Sequence, residues 1–126
     1  MKEVLTCKKT VDAIGPYSTA IKFGNTIYVS GQLPIDRESG EMPSDVKDQA
    51  KQSLLNIKYI LEENNSSLAD ILKTTVFVTD IKKFGEINEV YGSFFTGAFP
   101  ARSLVEVANL PKGAQIEIEC IAACKE

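Results

Sequence analysis

Histidine is absent from all 126 residues. Its absence removes Ser-His-Asp and Cys-His catalysis, most zinc sites, and the side chain that most often moves protons near neutral pH. Any acid–base chemistry must then come from carboxylates, tyrosines, lysines, the backbone or water. Also missing is a long apolar run. No stretch approaches the ~20 residues that span a bilayer, and the start, MKEVLTCKKT, has no such run behind its lysines. The expectation is a protein with no membrane partner, cytoplasmic by default. Arginine occurs only twice, the basic residues are scattered, and the net charge is −3. The positive footprint that dominates nucleic-acid affinity is therefore lacking, and nucleic acid is not an expected partner. The three cysteines, Cys7, Cys120 and Cys124, form no CxxC pair, and an odd number suits a reducing compartment. Cys120 and Cys124 end an apolar run and are expected as buried thiols. Cys7 stands beside Lys8 and Lys9, whose charges would favour a reactive thiolate.

What is present fits one globular domain over residues 1–126, with 44% hydrophobic and 25% charged residues and no linker or low-complexity segment. Apolar residues alternate on either side of Gly24-Asn25, which predicts a hairpin with strands near 18–23 and 26–31. Val46, Ala50, Leu54, Ile57 and Leu61 form a helical stripe, with Ser44 or Asp45 as N-cap and Asn64-Asn65 as the stop. ILKTTVFVT reads as a central strand buried on both faces. Phe84, Ile87, Val90, Tyr91, Phe94 and Phe95 line one side of a second helix over about 83–95, a stripe read as core. Two strands follow, 102–108 and 115–123, joined by the turn in NLPKG. If the first residues also pair, the order is β-β-β-α-β-α-β-β. Two helices cannot cover both faces of six strands, so one sheet face must find cover elsewhere.

Alternation in the last two strands places Ser103, Val105 and Val107 with Ile116, Ile118, Cys120 and Ala122, suited to packing against helices. The opposite phase then unites Arg102, Leu104 and Glu106 with Glu117, Glu119 and Ile121. A face half apolar and half charged is either solvated or meets another subunit around a polar pocket. Arg102 on it is either an ion-pair partner of Glu106, Glu117 or Glu119, or a clamp for an anion.

AIGPYS at 13–18, YVSGQLP at 28–34, KTTVFVTD at 73–80, INEVYGSFF at 87–95 and FPARSLVEVANLPKGAQIEIECIA at 99–122 together resemble the RidA family, also called YjgF. The motifs agree in order over nearly the whole chain. The resemblance implies an α+β, chorismate-mutase-like fold: a six-stranded mixed sheet with two helices on one face, assembled as a homotrimer with active sites between subunits. It also implies hydrolysis of small 2-imino acids, 2-iminobutanoate and 2-iminopropanoate, to 2-keto acids and ammonia, with no metal and no cofactor.

Carried over by motif, Arg102 matches the family arginine that grips the substrate carboxylate, a task suited to a planar fork. Glu117 matches the carboxylate that positions or activates the attacking water. Tyr17, Ser30, Gly31 and Asn88 fall at positions that line or support the cleft. For Tyr17, in a turn after Gly15-Pro16, packing over an apolar edge is the competing reading. Leu104 stands where many members have cysteine, so a thiol nucleophile is missing there: either only the backbone N–H touches substrate, or the activity has been lost or changed. The segment TGAF before Pro100 is shorter than in some members. A second class of function is a trimer that binds small carboxylates without turning them over. Endoribonuclease or translation-inhibitor activity, described for some relatives, suits the acidic charge balance less. Chorismate mutase activity would follow only from a shared fold.

Overall fold

A computed structural model describes residues 1–125. Among them, six strands form one mixed sheet in the order β1-β2-β3-β6-β4-β5. β1 (Glu3–Leu5), β2 (Ala20–Phe23) and β3 (Thr26–Gln32) make an antiparallel meander. Gly24 takes a φ of +61° in the two-residue turn between β2 and β3, a value that costs glycine little.

Helix α1 (Val46–Glu63) begins where the Asp45 carboxylate accepts the Lys47 N–H, so Asp45 rather than Ser44 is the cap. It stops at Asn64, whose side-chain amide donates to the Ile60 carbonyl, and at Asn65, with φ +62°. The whole expected stripe from Val46 to Leu61 is buried. α1 crosses β3 and β6, and α2 (Phe84–Ser93) packs beside it on the same side. Within the expected aromatic stripe, Ile87 and Tyr91 are buried, Val90, Phe94 and Phe95 are partly so, and Phe84 is exposed.

β4 (Ile71–Val78) joins antiparallel β6 (Ile116–Ala123) to parallel β5 (Ala101–Glu106). Expected as buried on both faces, β4 is buried only on one. Ile71, Thr74, Val76 and Val78 face the helices, while Lys73, Thr75 and Phe77 are half-covered on the other side and Leu72 is exposed.

A second correction concerns β5. Its register pairs Thr74 with Arg102, Val76 with Leu104 and Val78 with Glu106, and directly paired residues share a face. Arg102, Leu104 and Glu106 therefore lie on the helix side. Ser103 and Val105 share the open face with Glu117 and Glu119. The expected alignment of Arg102 with the glutamates is reversed because β5 is an edge strand that packs on the end of α2. There Leu104 reaches the core, Arg102 covers Tyr91, and Val105 is left exposed. Among the described residues Glu106 makes no ion pair and instead accepts the Ile81 N–H at 2.9 Å.

Candidate active site

The register of β3 against β6 slips between Val29 and Gln32, a bulge that spreads the strands beside Glu117. The bulge holds Ser30 and Gly31. A Cβ on Gly31 would lie 2.7 Å from the Glu117 carboxyl carbon and 2.8 Å from Oε2, so the carboxylate rests on backbone that carries no side chain. Ser30 turns inward: its hydroxyl donates to the Ser18 carbonyl at 2.6 Å and ties β3 to the loop before β2. α1 fixes the next residues from behind. Ser53 Oγ donates to the Gln32 carbonyl at 2.9 Å, and Asn56 Nδ2 donates to the Leu33 and Ile35 carbonyls, each at 3.1 Å. Both helix residues are buried, so this rim is built on the core.

A cleft of about 750 Å³ opens over this bulge, lined by Tyr17, Ser30, Gly31, Lys112, Glu117 and Glu119 among others. Tyr17, in a turn closed by its N–H to the Gly15 carbonyl, is 54% exposed, so it lines the cleft rather than packing over an apolar edge. Lys112 was not singled out by sequence reasoning. It sits at φ +60°, an uncommon conformation for a residue with a side chain. Burial, then the neighbouring Glu119 charge, pushes the Glu117 carboxyl above its ordinary value. Water beside it would meet a base held nearer neutrality than a free glutamate.

The arginine lies elsewhere. The Arg102 guanidinium carbon sits 4.8 Å from the centre of the Tyr91 ring, and Nη1 donates to Asn88 Oδ1 at 2.7 Å. Tyr91 is itself held: its hydroxyl and Thr74 Oγ1 are 2.7 Å apart, and its ring lies 4.9 Å from that of Phe95. Burial raises the Tyr91 phenol, while the Thr74 hydrogen bond and the Arg102 charge pull the other way. Among the described residues Arg102 has no carboxylate partner. Leu104, on the same side, is partly buried and packs against the core.

The candidate residues thus form two groups: Tyr17, Ser30, Gly31 and Glu117 in the open-face cleft, and Arg102, Asn88 and Leu104 at the helix-side edge. Glu117 lies two strands from Val105 in register, and Arg102 three residues before Val105. At ~4.8 Å per strand and ~3.3 Å per residue, the backbones of Glu117 and Arg102 are ~14 Å apart, with side chains leaving opposite faces. One small acid cannot touch both in one chain.

Elsewhere, Cys7 is buried, which overturns the expectation of a reactive thiol beside Lys8 and Lys9. Cys120 and Cys124 are buried as expected, and burial pushes the Cys120 thiol up to about 12. A second hollow, of about 640 Å³, lies by α1 between Lys8, Arg37 and Tyr59 and holds none of the candidate residues. No helix of the described residues is long and apolar enough to cross a membrane. Among the same residues no group of three or more cysteines and carboxylates is placed to hold a metal ion.

The family model described as Endoribonuclease L-PSP matches residues 7–124. A RutC family protein of Pyrococcus abyssi is 51% identical over 122 residues, covering 96% of each chain. The 2-iminobutanoate/2-iminopropanoate deaminase of Escherichia coli is 48% identical over 125 residues, 97% of this chain and 98% of that one. Among solved structures, Escherichia coli TdcF with bound serine superposes at a TM-score of 0.94 with 43% identity, covering 98% and 99% of the two chains. The α+β fold, the ordered motifs and these full-length matches agree: the chain belongs to the Endoribonuclease L-PSP family, the RidA (YjgF) family that its motifs resemble.

Proposed function

We propose that this protein hydrolyses reactive 2-imino acids, 2-iminobutanoate and 2-iminopropanoate, to 2-keto acids and ammonia, in clefts between the subunits of a homotrimer. The observation that carries the reading is the separation of an unneutralised arginine and a pKa-raised glutamate onto opposite faces of one sheet. Each is half of a hydrolytic site, and a neighbouring copy can bring the halves together. The open face supports such a contact, because Tyr28 and Val105 are exposed on it and Phe77 only half-covered. The deaminase relative and the serine-bound relative point to small substrates with a carboxylate next to the carbon that bears nitrogen.

In this reading Arg102 of one subunit takes the substrate carboxylate with N–H groups left free by Asn88. Glu117 of the next subunit takes a proton from water as its oxygen bonds to C2 and the C=N pair moves to nitrogen. The proton passes to that nitrogen, giving a carbinolamine. Glu117 then carries the hydroxyl proton to that nitrogen as the C–N bond breaks, and the C–O bond becomes the carbonyl, releasing ammonia and the 2-keto acid. Neither a thiol nor a covalent intermediate is required, so Leu104 in place of cysteine does not obstruct the chemistry. The family description names an endoribonuclease, but three carboxylates, Asp12, Glu117 and Glu119, against one lysine make this cleft a poor seat for a phosphate chain.

The test is to generate 2-iminobutanoate with an amino-acid dehydratase and follow its decay with and without the protein. Faster decay that scales with protein concentration is expected. Decay at the buffer rate contradicts catalysis and favours a trimer that only binds carboxylates.

Gly31→Ala gives a sharper local check. The strand accepts alanine at a backbone conformation that is not left-handed, so the melting temperature should change little, but the added methyl must displace the Glu117 carboxylate. Since a positioned general base contributes roughly 10²–10⁴-fold, kcat should fall at least about tenfold with KM nearly unchanged. An unaltered kcat would mean that the place of Glu117 on Gly31 is unimportant to turnover.

A further inference from the structure

Arg102 is the residue on which carboxylate binding rests, yet an arginine on an exposed edge strand ordinarily samples many rotamers. Here three side chains remove that freedom. The Tyr91 ring lies under the guanidinium at 4.8 Å, Asn88 Oδ1 accepts from Nη1 at 2.7 Å, and Thr74 fixes the Tyr91 hydroxyl at 2.7 Å from inside the core. All three partners are uncharged as a set: a π face, an amide and a hydroxyl. A carboxylate in place of the Asn88 amide would also hold the arginine but would cancel its charge.

We infer that Tyr91 and Asn88 are positioning residues that fix Arg102 while leaving its charge available to an incoming carboxylate, an inference that rests on the anchoring role proposed above. Tyr91 serves two purposes at once. Its hydroxyl and ring edge belong to the core between α2 and β4, and its outer face is the platform for the guanidinium. Sequence periodicity assigns it only the first.

The experiment titrates the intact protein with 2-oxobutanoate by calorimetry, which reads carboxylate binding without turnover. Tyr91→Leu removes the platform and should weaken binding roughly tenfold, while Tyr91→Phe, which keeps the ring, should restore affinity to within about threefold of wild type. In an Arg102→Ala background Tyr91→Leu should cost nothing further, because the group it positions is gone. Asn88→Asp leaves the core untouched and decides the matter if Tyr91→Leu fails to fold. It should weaken binding about tenfold or more without lowering the melting temperature, since a carboxylate on Nη1 competes with the ligand. Wild-type affinity in folded Tyr91→Leu, or in Asn88→Asp, overturns the inference while Arg102 anchoring stands. Equal losses from Tyr91→Leu with and without Arg102 also overturn it, by assigning Tyr91 a merely structural part. Undiminished binding by Arg102→Ala alone instead removes the anchoring role, and this inference with it.

Discussion

Under the proposed reaction, Arg102→Ala and Glu117→Gln should each lower kcat/KM for 2-iminobutanoate by about a hundredfold, through different terms. Loss of Arg102 would remove the charged, two-pronged contact proposed for the substrate carboxylate. Deleting one partner of such a pair costs about 2–4 kcal/mol, and at about 1.36 kcal/mol per tenfold that is roughly 30- to 1000-fold, expressed mainly in KM. Arg102 is exposed and, among the described residues, bonds to Asn88 and lies over the outer face of Tyr91 without entering the core, so its removal should leave the fold intact. Glu117→Gln keeps shape and loses the base, so kcat falls by roughly 10²-fold while KM is nearly unchanged. The remaining rate approaches that of the free imine in water. Free imino acids already hydrolyse unaided, so the whole catalytic task is only a few kcal/mol, and orientation with one base suffices.

The pH dependence follows from the same carboxylate. In the proposed reaction Glu117 acts ionised, and burial together with Glu119 raises its pKa, so the rate should fall as pH drops through a value above that of an ordinary glutamate. Glu119→Gln removes the like charge, lowers that pKa and moves the acid limb of the kcat profile to lower pH. A limb that stays in place would dissociate it from Glu117.

Elements and motifs were legible in the sequence where one physical signal governed them. The Gly24-Asn25 hairpin, the α1 stripe from Val46 to Leu61 and the strand–helix order each depend on local periodicity or turn chemistry, and each is present. Faces were less legible. Val105 and Val107 read as the buried phase of the strand expected over 102–108 because valine usually seeks the core, whereas β5 ends at Glu106. On an edge strand, however, the residue that gains most is the one over α2, and Leu104 and Arg102 take that side. The alternation that places Glu117 on the open face of β6 was correct, since β6 is central and packs on α1. Tyr91 shows another limit. Spacing reports that a side chain faces the core, but not that its outer face supports a neighbour from a strand eleven residues on. The close approach of Gly31 to Glu117 joins positions far apart in the chain, and only the bulge geometry reveals it.

The halves of the proposed site lie too far apart to serve one substrate within a chain, so its central claim is that Arg102 and Glu117 act from neighbouring copies. Arg102→Ala and Glu117→Gln proteins should each be nearly inactive alone. When they are mixed in equal amounts under conditions that exchange subunits, some interfaces pair an intact arginine with an intact glutamate. In a closed ring with head-to-tail contacts and random exchange, roughly a quarter of the sites are intact, so roughly a quarter of wild-type activity should return. Separate proteins mixed without exchange should show none of this gain. Recovery to about that level is the result expected of a site shared between subunits. A mixture that exchanges fully yet remains as inactive as its components would contradict it.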